Sequence, residues 1–268
     1  MAADSSSVWR RWSPDWFSLT LALGVLLILY YVAPLASLLV SATPSVVAGQ
    51  LGDPSVRSAA VTSVMAASLS TAIATVLGLP VAYWLARTEH PVGTLVLAVV
   101  VLPLVLPPTV AGVVLLTVVG PTTVLGEAAG AIGLPLTRSL AGVVLAQTFV
   151  ASPFVVVTAK AAFGRVDVSL EYASRSLGKS RLVTVRRVTL PVAGPGILAG
   201  ITLAFARALG EFGATMMLAY YPRTMPVQIW VAFVSLGLEN AYPVAILLVA
   251  IATVALLVLN TVARNPWS

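Results

Sequence analysis

The chain has 268 residues, 59% of them hydrophobic and 9% charged, where a soluble domain carries about 25% charged residues. Charges this sparse cannot coat a water-soluble globule of this size, which excludes a soluble domain and leaves a polytopic membrane protein. The net charge of +6, from 15 Lys and Arg against 9 Asp and Glu, is accounted for by the Lys and Arg that orient membrane spans and calls for no nucleic acid; the absence of cysteine removes disulfides and thiolate metal sites.

The first apolar run, roughly Phe17 to Val40, is longer than the apolar core of a signal peptide and lacks a small-residue cleavage site at its end. It reads as a retained first span. Five more runs, each near the roughly 20 residues that cross a bilayer, give spans over about 58–86, 93–119, 139–163, 194–220 and 241–263. The architecture predicted is six transmembrane helices. Turn formers punctuate them: Asp53-Pro54, Gly120-Pro121, Gly133-Leu134-Pro135, Tyr221-Pro222 and Asn240 to Pro243. His90 sits in a short turn beside Glu89 and Pro91, and one histidine cannot make a metal site; no metal ligands are assigned.

Lys and Arg set the orientation. Arg10, Arg11, Arg87, Lys160, Arg165, Arg175, Lys179, Arg181, Arg186, Arg187 and Arg264 fall on one side, against Arg57, Arg138 and Arg223 on the other. The richer side is cytoplasmic, which places both termini inside a cell membrane. The chain then divides into residues 1–57 (cytoplasmic N-terminus, first span, external loop), a core over 58–263 containing a long cytoplasmic loop at 164–193, and a short tail, 264–268. No regulatory domain is expected beyond Ser268.

Three intramembrane features stand out. Pro103, Pro107 and Pro108 interrupt the third span; prolines free backbone carbonyls that need partners or a wet cavity, so Pro107 and Pro108 are either a transport-route break or a packing kink. Gln147 and Thr148 in the fourth span are route candidates or interhelical hydrogen-bonding groups. Arg207 and Glu211 are four residues apart in the fifth, on one helical face. About 18 Å separates Arg207 from Pro195 at the helical rise, which places the charge near mid-membrane, where it must be paired or wet.

The 164–193 loop carries its own pattern. Leu170, Ala173 and Leu177 form one stripe of a short amphipathic helix, and Gly178 is placed to end it. Gly178-Lys179-Ser180 mimics the tail of a nucleotide-binding loop, but Ala173 stands where that motif needs its first glycine. Nucleotide binding by this chain is therefore rejected.

After Gly178 come nine residues and then Val188-Thr189-Leu190-Pro191. This order resembles the cytoplasmic signature of ABC-importer permeases, E-A-A, three residues, Gly, nine residues, I-x-L-P. Tyr172, Ala173 and Ser174 fall on the E-A-A positions, Val188 on the isoleucine, and Leu190 and Pro191 match. Tyr172 replaces the signature glutamate, and Glu171 stands one residue early, a rotation of about 100° on a helix.

Phe205-Ala206-Arg207-Ala208-Leu209-Gly210-Glu211-Phe212-Gly213-Ala214-Thr215 is similar to the corresponding span of molybdate permeases, and sulfate permeases carry a similar segment. Pro103 to Pro108 and Leu145 to Phe149 are similar to the same group. Together these cover roughly residues 58–260.

The resemblance implies a type I importer permease moving a tetrahedral oxyanion, molybdate or tungstate, with sulfate or thiosulfate as the alternative. It implies a pair of permease subunits, two cytoplasmic ATPase subunits that hold ATP and Mg²⁺, and an external oxyanion-binding protein. No cofactor is expected on this chain, and no enzymatic activity. Leu170, Ala173 and Leu177 would enter a cleft on the ATPase, with Arg175, Lys179 and Arg181 at its rim. Arg207 would either meet the oxyanion or, with Glu211, brace the helices; bracing is preferred because a tight mid-membrane cation would trap the substrate. A secondary transporter or channel without an ATPase, or a membrane scaffold, is the alternative of a different class, and neither needs the Gly178 to Pro191 pattern.

Overall fold

Residues 14–264 are described by the structure, a computed structural model. The expected N-terminal segment with Arg10 and Arg11, and tail residues 265–268, lie outside them. Helices α1 (Pro14–Val40), α3 (Pro54–Arg87) and α7 (Leu140–Gly164) span as expected. α2 (Pro44–Gln50) and α6 (Val124–Ala131) are short helices in the connections. Proline opens α2 and α3 at the first helical turn, where its missing N–H costs nothing and its fixed φ suits the helix.

The third span is two helices, α4 (Pro91–Val105) and α5 (Pro108–Val119), bent by 120° where they meet. Leu106 and Pro107 are extended, with ψ of 134° and 135°, because a residue before proline is pushed out of the helical region. Pro103 is buried inside α4 rather than at the break, so the break belongs to Pro107 and Pro108 alone.

Beyond α8 (Val168–Ser176), the helix resumes at Arg181. It runs through α9 (Arg181–Thr184) and a π-helical turn at Val185–Thr189 into α10 (Leu190–Leu209). This corrects the expected loop at 164–193: Val188, Leu190 and Pro191 are helical. Arg186 and Arg187 are exposed while Thr184 and Thr189 are buried, so the basic residues that read as loop are the solvated face of a helix. The fifth span also ends early. α10 stops at Leu209, and α11 (Gly213–Leu218) begins after a break at Gly210-Glu211-Phe212. α12 (Met225–Leu236) lies beside α3, where Ser63 Oγ accepts from the Met225 N–H at 2.7 Å and Gln228 Nε2 donates to Ser55 Oγ at 3.1 Å. α13 (Leu238–Arg264) is the sixth span.

Among the described residues the fold is all-helical, with five helices able to cross a bilayer and a sixth span in the bent pair. α3, α7 and α10 form its centre. Their facing surfaces are alanine-rich: Ala67 and Ala74, Ala151 and Ala159, Ala204 and Ala208 are all fully buried. Small side chains let helices approach closely where lipid offers no hydrophobic drive between them. α1 is exposed along its apolar length and leans on α13.

Candidate functional site

The first station lies at the end of the bundle that carries α8. Asp167 caps that helix, its carboxylate accepting from the Ser169 N–H at 2.8 Å. The other end closes in a Schellman motif: the Lys179 N–H donates to Ser174 O at 3.3 Å and the Gly178 N–H to Arg175 O at 2.9 Å. Gly178 has φ of +78°, the left-handed conformation that side chains with a β-carbon resist.

α8 has two unlike faces. Leu170 and Leu177 are 45% and 80% exposed and Ala173 is exposed with them, so the predicted stripe faces outward, without cover from the described residues. Glu171 faces inward and is buried. Its Oε1 accepts from Arg87 Nη2 at 2.6 Å and from Thr189 Oγ1 at 3.0 Å, and its Oε2 from the Tyr83 hydroxyl at 3.1 Å. Burial alone would push the Glu171 carboxyl up, but the hydrogen bonds from Arg87 and Thr189 and the charge of Arg87 outweigh it and hold the carboxyl below the usual carboxylate range. Ser174 adds a hydroxyl contact to Thr184 at 3.0 Å.

The one-residue shift of Glu171 therefore has a structural meaning. Tyr172, at the signature glutamate position, is exposed; Glu171, about 100° around the helix, is turned into the bundle. A cleft of about 780 Å³ opens beside them, lined by Trp84, Arg87, Glu89, Tyr172, Arg175 and Arg181 among others. The later signature residues Val188 and Leu190 are half-buried, with Leu190 packed against the cluster around Phe163, while Pro191 borders Arg186 and Arg187 at the surface. Arg87, Tyr83, Thr184 and Thr189 were not singled out in the sequence. Arg87 and Glu171 are 84 residues apart, beyond any local spacing.

The second station is where the two broken spans meet. Glu211 is 1% exposed and pairs with Arg207, although it lies past the end of α10 rather than on its face. Its Oε1 accepts from the Ala214 N–H at 2.8 Å, in the first turn of α11. The last turn of α10 packs with Ala151 of α7. A β-carbon on Gly213 would stand 2.7 Å from Pro108 Cβ and 3.0 Å from the Thr109 nitrogen, so the break carrying Glu211 rests on the break carrying Pro107 and Pro108. Gly210, the other glycine of this segment, meets nothing beyond its own helix.

Gln147 lies on α7, whose neighbouring residues Ala146, Val150 and Ala151 pack against α5, α11 and the last turn of α10. It is fully buried and accepts from Ser70 Oγ of α3 at 3.4 Å, an interhelical contact. Gln147 Nε2, Thr148 Oγ1 and Thr215 Oγ1 are buried without a partner among the described residues.

Residues 74–265 match the family of binding-protein-dependent transport system inner membrane components, and the chain belongs to that family. A probable molybdenum ABC transporter permease protein of Haloferax volcanii is 56% identical over 260 residues, covering 97% of this chain and 95% of its own. The molybdate/tungstate transport system permease protein WtpB of Thermococcus kodakarensis is 34% identical over 232 residues, covering 86% and 89%. Among solved structures, a chain of a bacterial alginate ABC transporter complexed with its periplasmic protein superposes with a TM-score of 0.75 at 17% identity, covering 93% and 94%. That likeness is one of fold and supports the type I permease architecture.

Proposed function

We propose that this chain is the membrane-spanning subunit of an ATP-driven importer of molybdate or tungstate. The observation that carries the substrate is the 56% identity, over 97% of this chain, to a permease named for molybdenum, joined by a relative named for molybdate and tungstate. Sulfate and thiosulfate lose ground for the same reason. Family membership sets aside the secondary transporter, channel and scaffold.

The geometry supports the division of labour. The outward stripe of Leu170, Ala173 and Leu177 is an apolar surface that a cytoplasmic ATPase would cover, with Arg175, Lys179 and Arg181 at its edge. ATP and Mg²⁺ belong to that ATPase, and this chain binds no cofactor. The basic end of the bundle faces the cytoplasm with both termini, and an external binding protein delivers the oxyanion at the other end. Two copies of the permease form the route. Closure of the ATPases on ATP shifts the spans by the difference in contact energy between the two states. Arg207 and Glu211 brace the junction of the broken spans rather than hold the substrate, because the carboxylate already neutralises the guanidinium and a tight cationic site would slow release.

The test is uptake of labelled molybdate by cells with and without this gene, with excess tungstate or sulfate as competitor. Loss of uptake on deletion, with competition by tungstate and not sulfate, is the expected result. Intact molybdate uptake with lost sulfate uptake would move the assignment to sulfate.

A further inference from the structure

We propose that Glu171 is the joint that carries displacement of α8 into the membrane spans, acting as a positioning residue for transport rather than as a contact to the ATPase. The inference rests on the permease reading. Its basis is the number of elements that converge on one buried carboxylate. Arg87, which holds Glu171 at 2.6 Å, also donates to Phe163 O at 2.9 Å and to Val166 O at 3.4 Å. A single guanidinium thus gathers the end of α3, the end of α7 and the inward face of α8. The Tyr83 hydroxyl adds a second contact from α3, one turn earlier.

The third attachment is to the span that leads to the intramembrane junction. Thr189 is fully buried and donates to Glu171 from within the π-helical turn, where the Leu190 N–H reaches back to Val185 O. A π turn holds one residue more than an α turn, a feature that often marks functional sites in helices. Beyond it α10 runs unbroken to Arg207 and the junction. The only other polar link from α8 to the bundle among the described residues is the Ser174–Thr184 hydroxyl contact. A push or rotation of α8 is therefore felt by α3, α7 and α10 together, through one buried carboxylate whose hydrogen bonds cannot be abandoned cheaply. The exposed stripe on the opposite face is free for the ATPase, so one short helix presents its drive surface outward and its joint inward.

The experiment uses the assembled complex of permease, ATPase and binding protein in proteoliposomes, reading molybdate delivered per phosphate released. Glu171→Gln keeps the shape and loses the charge. Thr189→Val removes the link to α10 alone. Glu171→Asp is the conservative variant. The expected result is that Glu171→Gln and Thr189→Val assemble and hydrolyse ATP, but deliver about tenfold less molybdate per ATP, with the double variant no worse than the more affected single one because the Thr189 link runs through the Glu171 carboxylate; Glu171→Asp restores part of the ratio. A ratio within about twofold of wild type in Glu171→Gln and Thr189→Val overturns the joint. So does a Glu171→Gln complex that falls apart while Glu171→Asp and Thr189→Val complexes keep the wild-type ratio, since Glu171 is then a staple only. A wild-type complex that moves neither molybdate nor sulfate with ATP refutes the permease reading, and the joint with it.

Discussion

Gly213 is seated on Pro108: a β-carbon at residue 213 would lie 2.7 Å from the proline's own. Two spans that lose their helical hydrogen bonding do so against each other, and the Arg207–Glu211 pair lies beside the contact. A break in one membrane helix leaves backbone groups that lipid cannot satisfy. Placing two breaks together keeps both inside the protein.

The first prediction tests that seat. Gly213→Ala forces α11 away from α5 and is expected to cost about 1–3 kcal/mol, the usual range for overpacking. Gly210→Ala is the control: its β-carbon meets nothing nearer than Ala206 O at 3.6 Å, and its effect should stay within about 0.5 kcal/mol. Thermal unfolding of the purified complex distinguishes them. Equal effects would remove the packing argument.

The ion pair gives the second. Arg207→Ala leaves the buried Glu211 carboxylate without its countercharge and is expected to destabilise by about 3–5 kcal/mol. Adding Glu211→Gln removes the stranded charge and should recover much of the loss. Melting temperature and yield of the assembled complex are the readouts. A stable Arg207→Ala complex with selectively lost transport would instead give Arg207 a role in the route.

Acid titration supplies the third. The Glu171 carboxyl lies below its ordinary 4.5 in the folded protein, held there chiefly by Arg87 and Thr189 against the cost of burial. Its contribution is fully present above the ordinary carboxyl value and is lost as pH falls through the lowered one. The difference in melting temperature between wild type and Glu171→Gln should be constant above about pH 5.5 and shrink on acidification below it. A difference that grows on acidification would contradict the sign.

Gly178 yields the fourth. Among the described residues no atom lies within 4 Å of a β-carbon built there, yet its φ is +78°. Gly178→Ala should cost about 1–2 kcal/mol from backbone strain alone, and Gly178→Asn less. Gly178→Ala carries the same backbone strain, so a failure to copurify the ATPase in Gly178→Trp but not in Gly178→Ala would locate the clash in the partner. Copurification measured beside membrane insertion checks this. Normal copurification and transport in Gly178→Trp would sink the docking assignment.

Much of this was legible in the residues, and the reason differs from place to place. Long apolar runs and their punctuating prolines mark the spans because the bilayer sets one length. Pro107-Pro108 marks its break because two adjacent prolines cannot continue a helix. Gly178 marks a helix end because only one residue type takes its conformation freely. The resumption of helix at Arg181 was hidden, since Arg186 and Arg187 resemble loop charges until Thr184 and Thr189 are known to face inward. The break at Gly210 was readable in principle from two glycines in four residues, but the apolar run on both sides masked it. The Arg87–Glu171 contact was not readable at all. It joins residues that only the packing of α3 against α7 brings together.

The most direct test is reconstitution of this chain with its ATPase and binding protein in proteoliposomes, with labelled molybdate outside and ATP available to the ATPase. Accumulation that requires ATP and all three components, is displaced by tungstate and is indifferent to sulfate is the predicted result. Molybdate entry without ATP or without the ATPase, or accumulation displaced by sulfate and not by tungstate, would contradict it.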